Sequence, residues 1–218
     1  MINFIDLFAG CGGLTEGFYK QGYNALAHVE INHYACETLK TRMKHYNYSQ
    51  EVIDESVLEM DITSDDVLQR LDNVVKGRTV DVIIGGPPCQ SFSSLGVAKD
   101  ENNMEDDPRN FLFESYVKIL NHYCPKVFVF ENVTGILKAK VKKKKIFDLV
   151  VKELSRHYNI EINPENIVLN ATHYGVPQER KRREYQQEKI FCFMVSLVPE
   201  KAGQFSMNTV TMKNAWSV

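Results

Sequence analysis

The sequence predicts an α/β fold, an open, mostly parallel sheet with helices on both faces. Two observations lead there. Short apolar runs recur at residues 3–7, 25–29, 80–84, 127–130 and 167–169, each of a length and composition suited to a strand buried on both faces. Stretches of helical period fill the gaps, and strands alternating with helices imply parallel crossover connections. At 218 residues, 44% hydrophobic and 25% charged, the chain has the size and composition of one well-buried domain.

In chain order, residues 3–7 run into Gly10, Gly12 and Gly13, and a helix over 14–20 is stopped by Gly22. The strand at 25–29 precedes a helix over 34–44. A helix over 65–75 is entered from Thr63 or Ser64, the strand at 80–84 leads to Gly85 and Gly86, and a helix follows over 110–121. The strand at 127–130 is succeeded by a helix over 147–158 and the run at 167–169. Between them, Lys138-Ala-Lys140-Val-Lys142-Lys-Lys-Lys145 reads as a solvated helix start in preference to a phosphate-binding patch. From Glu184 the pattern weakens: residues 190–198 are apolar enough for another strand, and 201–218 show no clear element.

A formal net charge of −2 gives no global basic field, so any nucleic-acid binding must come from local patches. No apolar run approaches the ~20 residues of a membrane helix, and Met1-Ile2-Asn3-Phe4 lacks the basic start of a secretory signal. A cytoplasmic protein that does not enter a membrane is expected. The five cysteines (Cys11, Cys36, Cys89, Cys124, Cys192) are scattered, with no C-x-x-C pair to suggest zinc or redox chemistry. Reduced thiols and no metal are therefore expected.

Four constellations carry chemistry. In Phe4-Ile-Asp-Leu-Phe-Ala-Gly-Cys-Gly-Gly13 a strand enters a turn with three glycines, which lets a ligand approach the backbone without meeting a Cβ. A plain strand-to-helix turn needs one glycine, and the spacing departs from the G-x-G-x-x-G of dinucleotide sites. Glu30 closes the second run about 20 residues on, where an acid can accept both ribose hydroxyls. Asp61 stands similarly placed for an adenine amino group. Together with the glycine turn, the two acids favour a nucleoside ligand.

Gly85-Gly-Pro-Pro-Cys-Gln-Ser-Phe-Ser93 follows a strand directly, and its glycines and prolines make a sharp turn at the carboxyl edge, where open α/β sheets bind ligands. Cys89 is thereby presented as a candidate nucleophile. Phe128-Val-Phe-Glu-Asn-Val133 ends a strand on that same edge, and Glu131, if partly buried and protonated, can hydrogen-bond a base ring and deliver a proton. In Tyr174-Gly-Val-Pro-Gln-Glu-Arg-Lys-Arg-Arg183, an extended chain would put Gln178, Arg180 and Arg182 on one face, suited to a phosphate beside a carbonyl oxygen. A basic, solvated strand edge accounts for that last pattern equally well.

In this order, Asp6-Leu-Phe-Ala-Gly-Cys-Gly-Gly13, Gly86-Pro-Pro-Cys-Gln-Ser-Phe-Ser93, Glu131-Asn-Val133 and Gln178-Glu-Arg-Lys-Arg182 resemble the signature blocks of the cytosine C5 methyltransferase family. The resemblance implies a Rossmann-like domain that uses S-adenosylmethionine and acts on double-stranded DNA, within a restriction-modification system. It implies that Phe8, Gly10 and Gly12 flank S-adenosylmethionine, that Glu30 holds its ribose, that Ile31 stacks on its adenine, and that Asp61 with Ile62 holds that adenine. It further implies Cys89 as nucleophile, Glu131 at the cytosine N3 and amino group, Arg182 at the cytosine O2 with Arg180 beside it, and residues 90–107 as a loop closing over a flipped base. Arg109 and Leu112 resemble the short block that follows.

On this basis residues 1–182 form the catalytic, S-adenosylmethionine-binding domain and 183–218 a divergent, incomplete C-terminal segment. Arg183-Glu-Tyr-Gln-Gln-Glu-Lys189 departs from the apolar strand that relatives place there, and the blocks expected beyond are absent before Val218. A truncated or split enzyme is expected, with a second polypeptide carrying the target-recognition region as one form of it. The rival expectations are tRNA cytosine methylation and a catalytically silent fragment.

Overall fold

The computed structural model describes residues 1–88, 112–141, 144–160, 167–169 and 190–196. The elements run β1 (Asn3–Leu7), α1 (Gly13–Lys20), β2 (Asn24–Glu30), α2 (His33–His45), α3 (Gln50–Ser56), β3 (Val57–Glu59), α4 (Val67–Val75) and β4 (Val82–Gly85). After them come α5 (Leu112–Tyr123), β5 (Val127–Val133), a 3-10 turn (Thr134–Leu137), β6 (Lys140–Val141), β7 (Lys144–Lys145), α6 (Ile146–Leu154), β8 (Asn159–Ile160), β9 (Val168–Leu169) and β10 (Ile190–Ser196).

The main sheet has the order β3-β2-β1-β4-β5-β10-β8, with β9 paired to β10. Strands β1 to β5 are mutually parallel, and β10 lies antiparallel against β5. The expected open, mostly parallel sheet is thus present. The chain builds outward from β1 through β2 to β3, then crosses back to place β4 on the other flank of β1. That reversal opens a crevice at the carboxyl ends of β1 and β4. Leu7 pairs with Gly85 in register, so the two glycine turns leave neighbouring strands side by side.

Period-2 alternation sorts the strands onto two faces. Ile5, Leu7, Ile83, Phe128 and Phe130 join Val67, Leu71, Ile119, Leu120, Val150 and Leu154 from α4, α5 and α6 in the main core. Phe4, Ala25, Val82, Ile84, Val127 and Val129 face the other way, against Leu14 and Phe18 of α1. A third cluster packs Leu39 and Met43 of α2 with Ile53 of α3 beside Ala9. Tyr116 is fully buried, and its hydroxyl donates to the carbonyl oxygens of Val129 (3.1 Å) and Ile83 (3.3 Å), which ties α5 to adjacent strands.

Several boundaries differ from the sequence expectation. Helix α3 and strand β3 were not anticipated, because seven and three residues are too few to display a period. Strand β5 continues past Phe130 through Glu131 and Asn132, polar residues whose backbone stays in the ladder with β10. The lysine run is not a helix start. Lys140 pairs with Lys145 and Val141 with Lys144 in a short antiparallel hairpin, and α6 begins only at Ile146. Among the described residues, no helix is long and apolar enough to cross a membrane.

Candidate active site

The first turn is held open by backbone geometry that favours glycine. Phe8, Gly10 and Gly12 have φ of 60°, 53° and 84°, in the left-handed region that side chains disfavour. A Cβ on Gly12 would lie 2.7 Å from Cδ1 of Leu39, so α2 fills the space beneath the turn. At Gly10 and Gly13 a Cβ would meet nothing within 4 Å, which leaves the outer side of the turn open to a ligand.

Glu30 ties this turn to the end of β2. Its Oε2 accepts from the Gly10 N–H and its Oε1 from the Asn32 N–H, both at 2.8 Å. The Asn32 side chain then caps α2 by accepting from the Ala35 N–H at 3.0 Å. Farther along α2, Arg42 donates to the Cys11 carbonyl at 3.0 Å and pairs with Glu16, which also accepts from the Tyr46 hydroxyl. A closed ring of contacts therefore runs from Gly10 through Glu30, Asn32 and α2 back to Cys11. Arg42 and Asn32 escaped the sequence reading, since nothing in a helix's own pattern signals a contact to a turn 31 residues away.

The remaining nucleoside candidates fall nearby. Ile31 is 65% exposed, an unusual state for a large apolar side chain immediately after a strand. Asp61 follows β3 and accepts from both the N–H (2.8 Å) and the hydroxyl (2.7 Å) of Thr63. The Ile62 side chain, 5% exposed, belongs to the main core, which leaves only its backbone available to the site. Beneath the turn, Asp6 is fully buried and accepts from the Thr15 hydroxyl at 2.5 Å. Burial pushes its carboxyl up to about 7. An acid inside an apolar strand was the only signal for it.

The second turn leaves β4 at Gly85. A Cβ on Gly86 would lie 2.5 Å from Oε2 of Glu131, so the carboxyl rests directly on the glycine backbone. Burial raises the Glu131 carboxyl to about 7, which lets it carry a proton near neutrality. Asn132, 3% exposed, donates from Nδ2 to the Pro87 carbonyl at 3.0 Å, while its Oδ1 accepts from the Val133 N–H at 2.8 Å. Both ends of that amide are thereby committed to holding the turn, a role the sequence reading did not assign. Cys89, Arg180 and Arg182, with residues 90–107 and Arg109, lie outside the described residues.

Fold and turns together define a class: an open α/β domain with a glycine turn and flanking acids at the ends of β1, β2 and β3 and a second turn bearing a buried acid at β4 and β5, sharing one edge. The chain matches the family model for C-5 cytosine-specific DNA methylase over residues 2–194, and it belongs to that family. It is 41% identical over 182 residues to the type II methyltransferase M.DdeI of Desulfomicrobium norvegicum, covering 83% of this chain and 39% of that protein. It is 33% identical to M.Bpa9945I of Bacillus paralicheniformis, covering 82% of this chain and 52% of the relative. The chain thus spans about half or less of these curated relatives. Among solved structures, a putative DNA modification methyltransferase encoded within an E. coli prophage superimposes with a TM-score of 0.66 at 26% identity, over 90% of this chain and 47% of that one.

Proposed function

We propose that this chain transfers a methyl group from S-adenosylmethionine to carbon 5 of cytosine in double-stranded DNA, through a covalent adduct with Cys89. The observation that carries the reading is the seat of Glu131: a largely buried carboxyl, raised to about 7, set against the turn that leads into Cys89. The names of the relatives support type II modification as the setting, and the cytoplasm is the proposed place of action.

The residues of the first turn suit S-adenosylmethionine. Gly10 and Gly13 leave the backbone open, Glu30 offers a carboxylate for ribose hydroxyls, and exposed Ile31 offers an apolar surface for adenine. Phe8 and Gly12 shape the turn, and Asp61 with the Ile62 backbone would hold the adenine edge. When bound, the cofactor supplies an electrophilic methyl group on its sulfonium.

Cytosine C5 is a weak nucleophile, and the proposed chemistry remedies this. The Cys89 thiolate adds to C6, which moves the C5–C6 π electrons into the ring and leaves C5 as an enamine carbon. Glu131 gives its proton to N3 and so stabilises the displaced charge, while Arg182 at O2 and Arg180 at the adjoining phosphate assist electrostatically. After C5 takes the methyl group, a base removes the C5 proton, the C5–C6 double bond re-forms as the C6–S bond breaks to release Cys89 as thiolate, and N3 returns its proton to Glu131. Because C6 is shielded in stacked duplex, the nucleotide must first flip out, at a cost of a few kcal/mol.

The test is covalent trapping on duplex DNA containing 5-fluorocytosine, where loss of the C5 substituent is blocked. Wild type with S-adenosylmethionine should yield a protein–DNA adduct, and Cys89→Ser should not. An adduct formed by Cys89→Ser would remove Cys89 from the mechanism. Methyl transfer to tRNA in place of DNA would reassign the substrate.

A further inference from the structure

The chain leaves β5 at Val133, makes the 3-10 turn, and returns through the β6–β7 hairpin into α6. The hairpin therefore follows the carboxyl end of β5, the end of the strand at which Glu131 lies. Lys138, Lys140, Lys144 and Lys145 are all exposed there.

Their arrangement opposes folding. Register places Lys140 directly across from Lys145, and like charges facing one another in an antiparallel pair are destabilising. Lys145 is also the N-cap of α6, with no side-chain cap bond. A cation at a helix N-terminus works against the helix dipole, and serine, threonine or aspartate is the usual occupant. Among the described residues, none of the four lysines forms an ion pair with another described residue. Such repulsion is relieved by an external anion, and three hairpin lysines with Lys138 just before them suit an extended polyanion better than a single small ion.

We infer that the lysine hairpin grips the phosphate backbone of DNA beside the target base and contributes affinity without sequence preference. This rests on the reading of cytosine in DNA as the substrate. A base held at Glu131 brings its flanking backbone to the end of β5 that the hairpin follows. The whole chain is weakly acidic, with a net charge of −2, so a local patch must provide the attraction that bulk charge does not.

The experiment measures binding of the full chain to a fluorescent duplex by anisotropy between 50 and 200 mM salt, for wild type, K140Q/K145Q and K138Q/K144Q. Each phosphate contact contributes about 0.9 to the slope of log affinity against log salt. Each double variant should lower that slope by about 1.8, which over the fourfold salt range makes its affinity about twelvefold less salt-sensitive than wild type. The loss should be equal for duplexes of unrelated sequence, and K140R/K145R should retain the wild-type slope. Thermal melting of K140Q/K145Q should be unchanged or higher, since a repulsive pair has been removed. Unaltered slopes in both double variants would overturn the inference and leave the substrate reading intact. A wild-type chain that fails to bind duplex at all would overturn both, and a loss confined to one sequence would overturn the backbone assignment.

Discussion

Gly85 and Gly86 are adjacent in sequence, and the structure gives them opposite sensitivities. Neither has a left-handed φ, so alanine is sterically admissible to the backbone at both positions and even lowers the entropy of the unfolded chain. At Gly85 the new Cβ would lie 2.5 Å from the Leu7 backbone oxygen and 3.1 Å from both the Leu7 Cβ and the Tyr116 ring. Those atoms belong to the neighbouring strand and to the core, where relief requires moving β1 against β4. Overpacking of this kind costs about 1–3 kcal/mol or more. At Gly86 the obstacle is Oε2 of Glu131, the end of a flexible side chain, again at 2.5 Å. The carboxyl need retreat only by about 0.8 Å to reach ordinary carbon–oxygen contact. Gly86→Ala should therefore melt within a few degrees of wild type, yet displace the proposed proton donor by a distance that typically costs on the order of 100-fold in rate. Gly85→Ala should lose stability outright. Thermal melting and radiolabelled methyl transfer, run side by side on the two variants, check the pair. Full activity in Gly86→Ala would show that the seat of Glu131 does not matter to the chemistry, and equal destabilisation of both variants would refute the distinction between flexible and rigid obstacles.

Other expectations follow from the same contacts. The Glu131 carboxyl ordinarily titrates near 4.5 and stands at about 7 in the fold; its protonated form is the one folding favours, so stability is lost as pH rises from about 4.5 through 7. Asp6, raised from 3.8 to about 7, acts in the same direction. Glu131→Gln should match wild-type stability at low pH and exceed it at pH 8, while methyl transfer falls; a pH-independent difference in melting between the two would contradict the assigned shift. In wild type, methyl transfer limited by proton donation should decline as pH rises through about 7, which a pH–rate profile reads directly. Glu30→Ala removes a carboxylate bound to two backbone N–H groups, and at about 1.5–3 kcal/mol per charged hydrogen bond it should weaken S-adenosylmethionine binding at least about tenfold by calorimetry. Arg42→Met, which frees the Cys11 carbonyl, should weaken the same binding severalfold with little change in melting temperature; identical affinities would mean that the turn keeps its shape without α2.

The sequence by itself determined the fold class, four of the five parallel strands (β1, β2, β4 and β5), and the edge expected to carry function. These rest on local signals. Apolar runs such as 80–84 must be buried on both faces, and a turn such as Gly85-Gly-Pro-Pro88 must interrupt them, whatever lies around it. The four ordered blocks carried the family on the same footing, because each is a contiguous run of residues. Tertiary structure alone decided what each group touches. That Asn132 holds Pro87, that Glu30 joins Gly10 to Asn32, that Arg42 returns to Cys11, and that Ile62 turns inward while Ile31 stays exposed all depend on segments brought together from different parts of the chain. The lysine run shows the limit most clearly: its composition fits a solvated helix start, yet its backbone pairs Lys140 with Lys145. Charge composition is a property of the residues one at a time, whereas register is a property of two segments, and only the folded chain sets which lysine faces which.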